Sequence, residues 1–401
     1  MSCRTVECSD TGSCVVARFV VRTRCGWQKC DVGNGGCVNR ETVVVGAGVI
    51  GLLSAYHLAR AGEPVVVVEA GAVGHESSWA GGGIVSPLYP WRYSEAVTAL
   101  AHWSQAYYPC LGADLLAETG IDPQVHETGL YWLDLEDEAE ALAWAGRQRR
   151  PLIKVAMEAV QCAVPPLGAG FSSAVFMAGV ANVRNPRMLQ SLRSALLRLP
   201  NARVLEHCQV KGFVREGARV VGVDTLKGEV RGQRVLVAAG AWSGELLAGL
   251  GIALPVKPMK GQMILYKCAE DFLPSMVMAH GRYAIPRRDG HILVGSTLED
   301  VGFDKQPSDE ALHSLKASAC ELLPALDGAM VVKHWAGLRP GSPEGIPYIG
   351  PVEGYEGLWL NTGHFRNGLV LAPASCQVLL DLILQREGEI DPTPYLPNGR
   401  I

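Results

Sequence analysis

The chain has 401 residues, enough for about two domains, and an ordinary globular composition with 48% hydrophobic and 19% charged residues. A net charge of −4 without a basic stripe argues against a nucleic-acid partner, and no apolar run is long enough to span a bilayer. The 46 glycines suit tight turns and close backbone approach to a large ligand.

Residues 1–40 differ from the rest. Six of the twelve cysteines fall here: Cys3, Cys8, Cys14, Cys25, Cys30 and Cys37. The spacing Cys25-x4-Cys30-x6-Cys37 fits no standard metal pattern, and Val15 to Val21 is too short and too interrupted by Arg18 for a signal peptide. The segment reads as a disordered extension, and no metal site is expected. The other cysteines (Cys110, Cys162, Cys208, Cys268, Cys320, Cys376) are scattered singly, as in a reducing cytosol.

The chain is organised around residues 42–69. Thr42-Val43-Val44-Val45 reads as a buried strand. Gly46-Ala47-Gly48-Val49-Ile50-Gly51 fits G-x-G-x-x-G, a helical pattern runs to Gly62, and Val65-Val66-Val67-Val68 is a second strand ending in Glu69. Strand, glycines, helix, strand and acid in this order predict a βαβ dinucleotide site. Gly46 permits the tight turn, Gly48 lets backbone approach a pyrophosphate at the helix N-terminus, and Gly51 lets helix and strand pack closely. Glu69 would accept from ribose hydroxyls, which argues against a 2′-phosphate. The motif leaves FAD and NAD both open.

After Glu69, residues 71–84 are rich in small and hydroxyl residues and include Gly81-Gly82-Gly83, a loop suited to lie against a planar ligand. Helices are expected at 94–118, 137–145, 150–162, 188–199 (opened by Asn185-Pro186-Arg187), 308–323 and from Gly368 to about 385. Strands are expected at 128–134, 174–178, 234–243, 263–266, 283–285, 292–296 and 358–361. Residues 204–214 and 220–225 read as a meander turning at Glu216-Gly217, and Arg288-Asp289-Gly290 as a hairpin turn. Trp335 to Gly341 is expected to follow a strand.

These segments together resemble the D-amino-acid-oxidase family of flavoproteins, and within it the branch that oxidises glycine in connection with bacterial thiamine biosynthesis. The matching residues are 46–51, 77–84, Tyr283-Ala284-Ile285-Pro286-Arg287, Gly295-Ser296-Thr297, Gly337-Leu338-Arg339-Pro340-Gly341, Pro347-Tyr348-Ile349-Gly350 and Gly363-His364-Phe365-Arg366-Asn367-Gly368. They span about residues 41–395 in the family's order. The resemblance implies an α/β (α+β) fold: a Rossmann-like FAD-binding domain (41–90, 180–255 and 335–395) with an antiparallel-sheet substrate domain inserted (91–179 and 256–334).

It also implies non-covalent FAD. The glycine motif supplies Gly46, Gly48 and Gly51, and the implied contacts are Val49, Ile50, Glu69, Ala70, Ser77, Ser78, Gly82, Gly83, Ile84, Val210, His364, Phe365, Arg366, Asn367, Gly368, Leu369 and Val370. The implied substrate residues are Arg339, Tyr283 and Arg366, with Ile84 and Leu298 bordering the pocket and limiting the substrate side chain. The residue chemistry agrees: a guanidinium matches a planar carboxylate with two hydrogen bonds, and a phenol adds a third. The implied reaction is hydride transfer from the Cα of glycine, sarcosine or a small D-amino acid to flavin N5. O2 would be reduced to H2O2, and glyoxylate and ammonia would follow from glycine. The scheme requires no side-chain base. The alternative is a dehydrogenase of the same fold that passes electrons to a quinone or membrane chain. The family further implies a cytoplasmic homotetramer.

Overall fold

The computed structural model describes residues 41–401, so the expectations for residues 1–40 lie outside the described residues. The βαβ unit is Thr42–Val45, the helix Val49–Arg60 and Val65–Val68. Its strands are parallel neighbours in register Thr42↔Val65 to Val45↔Val68. Alternation sends Val44, Val65 and Val67 into the core beneath the helices. The same alternation sends Val43, Val45, Val66 and Val68 into a second core on the opposite face. All seven are at most 5% exposed, each adding about 1.5–3 kcal/mol of burial. A β-branched run buried on both faces is what a central parallel strand needs.

The complete sheet has six strands in the order Tyr348–Pro351, Leu358–Thr362, Arg234–Val237, Thr42–Val45, Val65–Val68, Ala202–Leu205. All pairs are parallel except the first. Residues of the helices Val49–Arg60, Glu95–Thr119, Asn185–Leu197 and Gly368–Ile383 share the first core. A three-stranded antiparallel sheet, Val210–Glu216, Arg219–Thr225 and Gly228–Arg231, contributes Val220 and Val223 to the other face.

A second sheet has eight strands in the order Val331–Gly341, Lys257–Lys267, His291–Gly295, Arg282–Pro286, Met276–Ala279, Leu130–Leu133, Ala174–Met177, Leu152–Val155. Period-two alternation again decides the faces. Ile264, Ala284 and Val294 pack with Leu315, Ala319 and Leu322 of the helix Asp309–Leu322. Met263, Tyr283, Ile285 and Leu293 point the other way, into a cluster with Ile84, Trp91 and Trp132. The side that carries Tyr283 is therefore fixed by register.

Four local expectations are corrected. Residues 150–162 are not one helix but the strand Leu152–Val155 followed by the helix Met157–Ala163. Pairing with Ala174–Met177 overrides local helix preference there. The stretch 204–214 is divided between two sheets, with His207 in a left-handed conformation at the break. The strand Met276–Ala279 was not anticipated. Trp335 to Gly341 lies inside the strand Val331–Gly341 instead of following one, and that strand pairs along its length with Lys257–Lys267. The expected boundary at residue 335 thus falls within the second sheet, and the chain rejoins the first only after Gly341. Among the described residues no helix is long and apolar enough to cross a membrane.

Candidate active site

A cavity of about 700 Å³ is lined by residues of both sheets. One group of walls belongs to the βαβ unit: Gly46, Gly48, Val49, Ile50, Glu69 and Ala70, together with Val210. Gly46 sits at φ +104°, and a Cβ there would lie 2.5 Å from the Ala238 carbonyl oxygen. A Cβ on Gly51 would lie 1.9 Å from the Gly46 carbonyl oxygen. Gly51 therefore lies behind the cavity and permits the turn to close on the helix. The first-turn N–H groups of a helix lack intrahelical acceptors and carry the positive end of its dipole. Here Ser78 Oγ accepts one of them, from Val49 at 2.9 Å. Glu69 is fixed by two backbone donors, Ala47 N–H at 2.7 Å and Gly71 N–H at 2.9 Å.

The loop after Glu69 contributes Ser77, Ser78, Gly82, Gly83 and Ile84 to the wall. It is held from behind by Arg287, which is buried and donates to the Gly82 carbonyl at 2.7 Å, the Val183 carbonyl at 2.9 Å and Asn182 Oδ1 at 2.9 Å. Burial lowers this guanidinium to about 10, so it still carries its charge at neutral pH. The C-terminal contribution is His364, Phe365, Arg366, Gly368, Leu369 and Val370.

His364 is 1% exposed and its Nε2 lies 3.0 Å from Ser375 Oγ. Burial pushes its pKa down to about 3. The ring is neutral throughout the working range and makes a poor proton acceptor. Because its folded pKa lies below the unfolded value of roughly 6.5, protonation favours the unfolded chain. Its contribution to stability is complete above that value and is lost as pH falls toward 3. At pH 5 the loss is roughly 2 kcal/mol. Unfolding free energies at pH 8 and pH 5 for the protein and a His364→Gln variant should converge by that amount, and an unchanged pH slope in the variant would remove the assignment.

The eight-stranded sheet and the segment after its strand His291–Gly295 contribute Arg339, Tyr283, Met263, Gly261 and Ser296 to the wall. Arg339 Nη1 donates to the carbonyls of Thr297 (3.2 Å) and Lys260 (3.3 Å), and Nη2 donates to Ser296 Oγ (2.8 Å). Of five guanidinium N–H groups, three are thus engaged, leaving one on Nε and one on Nη2. No carboxylate lies within ion-pair distance of Arg339 among the described residues. Burial is the main cause holding its pKa below the ordinary value; the Arg366 cation adds to the shift, and the Tyr283 phenol and the Glu299 carboxylate oppose it. The Tyr283 hydroxyl has no hydrogen-bond partner among the described residues, and neither does the Arg366 side chain. The arrangement is a partly buried positive site with free donors and no direct ion-pair partner, only the more distant Glu299 carboxylate, which favours an anion.

Two of the expected cofactor residues, Gly51 and Asn367, are absent from the cavity wall. Leu298, expected at the substrate border, is also outside it and is 48% exposed. It follows the strand His291–Gly295, beyond the register that aims side chains at the cavity. Lining residues that sequence reasoning missed include Asn185, Trp242, Gly261, Met263 and Ser296. Gly261 falls outside the expected strand 263–266 but inside the observed strand Lys257–Lys267, where a glycine often marks close approach. A Cβ there would lie 2.1 Å from Arg339 Nη1.

A glycine-turned helix N-terminus, a ribose-type acid and an anion site on the wall of one shared cavity define a dinucleotide-dependent oxidoreductase. The match to known proteins makes this specific. Residues 41–382 match the family of FAD dependent oxidoreductases (DAO), and the chain belongs to that family. It is an FAD-dependent enzyme. It is similar to the glycine oxidase of Pseudomonas putida, 68% identical over 364 residues covering 91% of this chain and 100% of the relative. The glycine oxidase of Bacillus subtilis is 31% identical, over 86% of this chain and 94% of the relative. Among solved structures, glycine oxidase from Geobacillus kaustophilus superposes with a TM-score of 0.85 at 28% identity, covering 90% of this chain and 100% of that one. The cavity fits FAD: its glycine-lined cradle leaves the room that side chains would fill, and Glu69 is oriented at one part of the wall.

Proposed function

We propose that the protein catalyses oxidative deamination of glycine, and also of sarcosine and small D-amino acids. Glycine, O2 and water would give glyoxylate, ammonia and H2O2. The observation that carries this reading is the Arg339 guanidinium, without a direct ion-pair partner, beside the free Tyr283 hydroxyl, a pair suited to a carboxylate. The similarity to Pseudomonas glycine oxidase over most of both chains supports it.

FAD, when bound, would supply a two-electron acceptor for the hydride of the substrate carbon, with O2 as the final oxidant. The loop 77–84, Glu69, Val210 and residues 364–370 would hold it. The chain's own contribution is orientation. Arg339 and Tyr283 fix the carboxylate, so that the Cα–H has one presentation. Arg366 adds positive potential. Ile84, 8% exposed and in the wall, limits side-chain volume and favours glycine. The scheme requires no side-chain base, and because the buried His364 ring is a poor proton acceptor, kcat/KM should rise with pH without an inflection from this ring.

The same resemblance leads us to propose a cytoplasmic homotetramer that serves thiamine biosynthesis, with a discontinuous FAD-binding domain and an inserted substrate domain. The test is spectroscopic. Glycine added anaerobically to the purified protein should bleach the flavin bands, and air should restore them with stoichiometric peroxide. Repeating the titration with sarcosine and D-alanine ranks the substrates. Flavin that stays oxidised with all three removes the assignment.

A further inference from the structure

The Arg339 anion site has a fourth member. Ser296 lines the cavity, is 6% exposed, and its Oγ accepts from Arg339 Nη2 at 2.8 Å. A hydroxyl that accepts one hydrogen bond still has a proton to donate. No acceptor for that proton exists among the described residues, so it is free to turn toward the cavity. Its neighbours on the wall are the other free donors: Arg339, and Tyr283, whose hydroxyl oxygen lies 3.0 Å from where a Cβ on Gly295 would sit.

The segment around Ser296 is held firmly. The Ser296 carbonyl accepts from Arg282 Nη1, and Arg282 Nη2 donates to Ser314 Oγ at 3.1 Å. Next door, Thr297 Oγ1 accepts the Gln262 N–H at 2.9 Å and donates to Glu299, which also receives Gln262 Nε2 at 3.0 Å. Gln262 itself is fully buried. A side chain on backbone pinned this way is preorganised, and a donor that needs no rearrangement loses little on binding.

We infer that Ser296 is a substrate-binding residue, accepting from Arg339 while donating its hydroxyl proton to the carboxylate that Arg339 and Tyr283 hold. The inference rests on the reading of Arg339 as a carboxylate clamp. The serine then does two things. It fixes which guanidinium N–H groups remain free, and it completes a set of donors from three side chains around one carboxylate.

The test uses FAD-loaded enzyme and acetate, a carboxylate without an amine, with binding followed by calorimetry. Ser296→Ala should raise the acetate Kd about tenfold, the loss expected for one hydrogen bond to a charged group. The KM for glycine should rise in parallel, while kcat and the FAD Kd stay within twofold (roughly the noise of such comparisons). A merely structural serine would move FAD retention or kcat instead. Should the alanine variant fail to fold, Ser296→Cys keeps the volume with a weaker donor and should still weaken acetate severalfold. Unchanged acetate affinity in either folded variant overturns the inference. Arg339→Leu is the parallel arm: if it loses acetate binding and Ser296→Ala does not, only the role of Ser296 fails. If neither loses it, the clamp itself is wrong.

Discussion

Arg339→Leu should raise the KM for glycine by about a hundredfold or more, since a charge-assisted bidentate pair in a dry site is worth roughly 3 kcal/mol. Two effects add. The substrate carboxylate loses its charged partner, and Ser296 Oγ and the carbonyls of Lys260 and Thr297 lose the donor that satisfied them. Arg339→Lys should recover only part of the loss, because one ammonium cannot serve those acceptors and a carboxylate together. Gly261→Ala provides an orthogonal check. Its new Cβ would lie 2.1–2.3 Å from the guanidinium, and the guanidinium is the flexible end of a long side chain, so it should move while the strand stays. KM should rise with FAD content unchanged. Steady-state kinetics with glycine at saturating O2 read all three variants, and a KM unchanged in the leucine variant would end the clamp assignment.

The second large effect concerns the cofactor. Gly51→Val should yield protein that purifies mostly colourless, with FAD affinity weakened about ten- to hundredfold, the size of a 1–3 kcal/mol overpacking penalty. The Gly46 carbonyl oxygen occupies the space a side chain at 51 would take, at 1.9 Å from a Cβ. Backbone cannot yield there as a side-chain tip can. Either the turn opens or the helix Val49–Arg60 shifts, and both displace Gly48, Val49 and Ile50, which line the cavity. Fluorescence titration with FAD measures the loss, with far-ultraviolet circular dichroism as the check that the sheet survives. Wild-type FAD affinity in a folded variant would show that the close approach is not needed for the cofactor.

These two sites were unequally legible in the sequence. The βαβ unit could be read because its signals are local: four β-branched residues, three glycines at fixed spacing, one helical period and a terminal acid. Nothing distant can imitate that order. Arg339 was legible through its motif neighbours, Gly337 to Gly341. Its setting was not, because the groups around it come from residues 260, 296 and 297, brought together by the pairing of Lys257–Lys267 with Val331–Gly341 and His291–Gly295. Ser296 belongs to a segment that carries the family resemblance, but nothing local marks it as a binding residue until that pairing places it against a guanidinium. Leu298 shows the converse. The family resemblance implies a place at the pocket border, and the chain path beyond His291–Gly295 leaves it half-exposed and outside the cavity wall.

The sequence alone therefore determined the dinucleotide unit, the cofactor class through family resemblance, and most strands and helices whose hydrophobic period is unbroken. Tertiary structure decided what depends on pairing. It made a strand of residues 152–155, which local preference had read as helix. It placed the strand Val331–Gly341 in the second sheet. It also left Arg339 partly buried without a direct ion-pair partner, so that its remaining donors are available to the cavity. Local patterns fix local conformation because they act over one turn or one pleat. A binding site is a coincidence of distant residues, and only the register between strands sets which side chains share it.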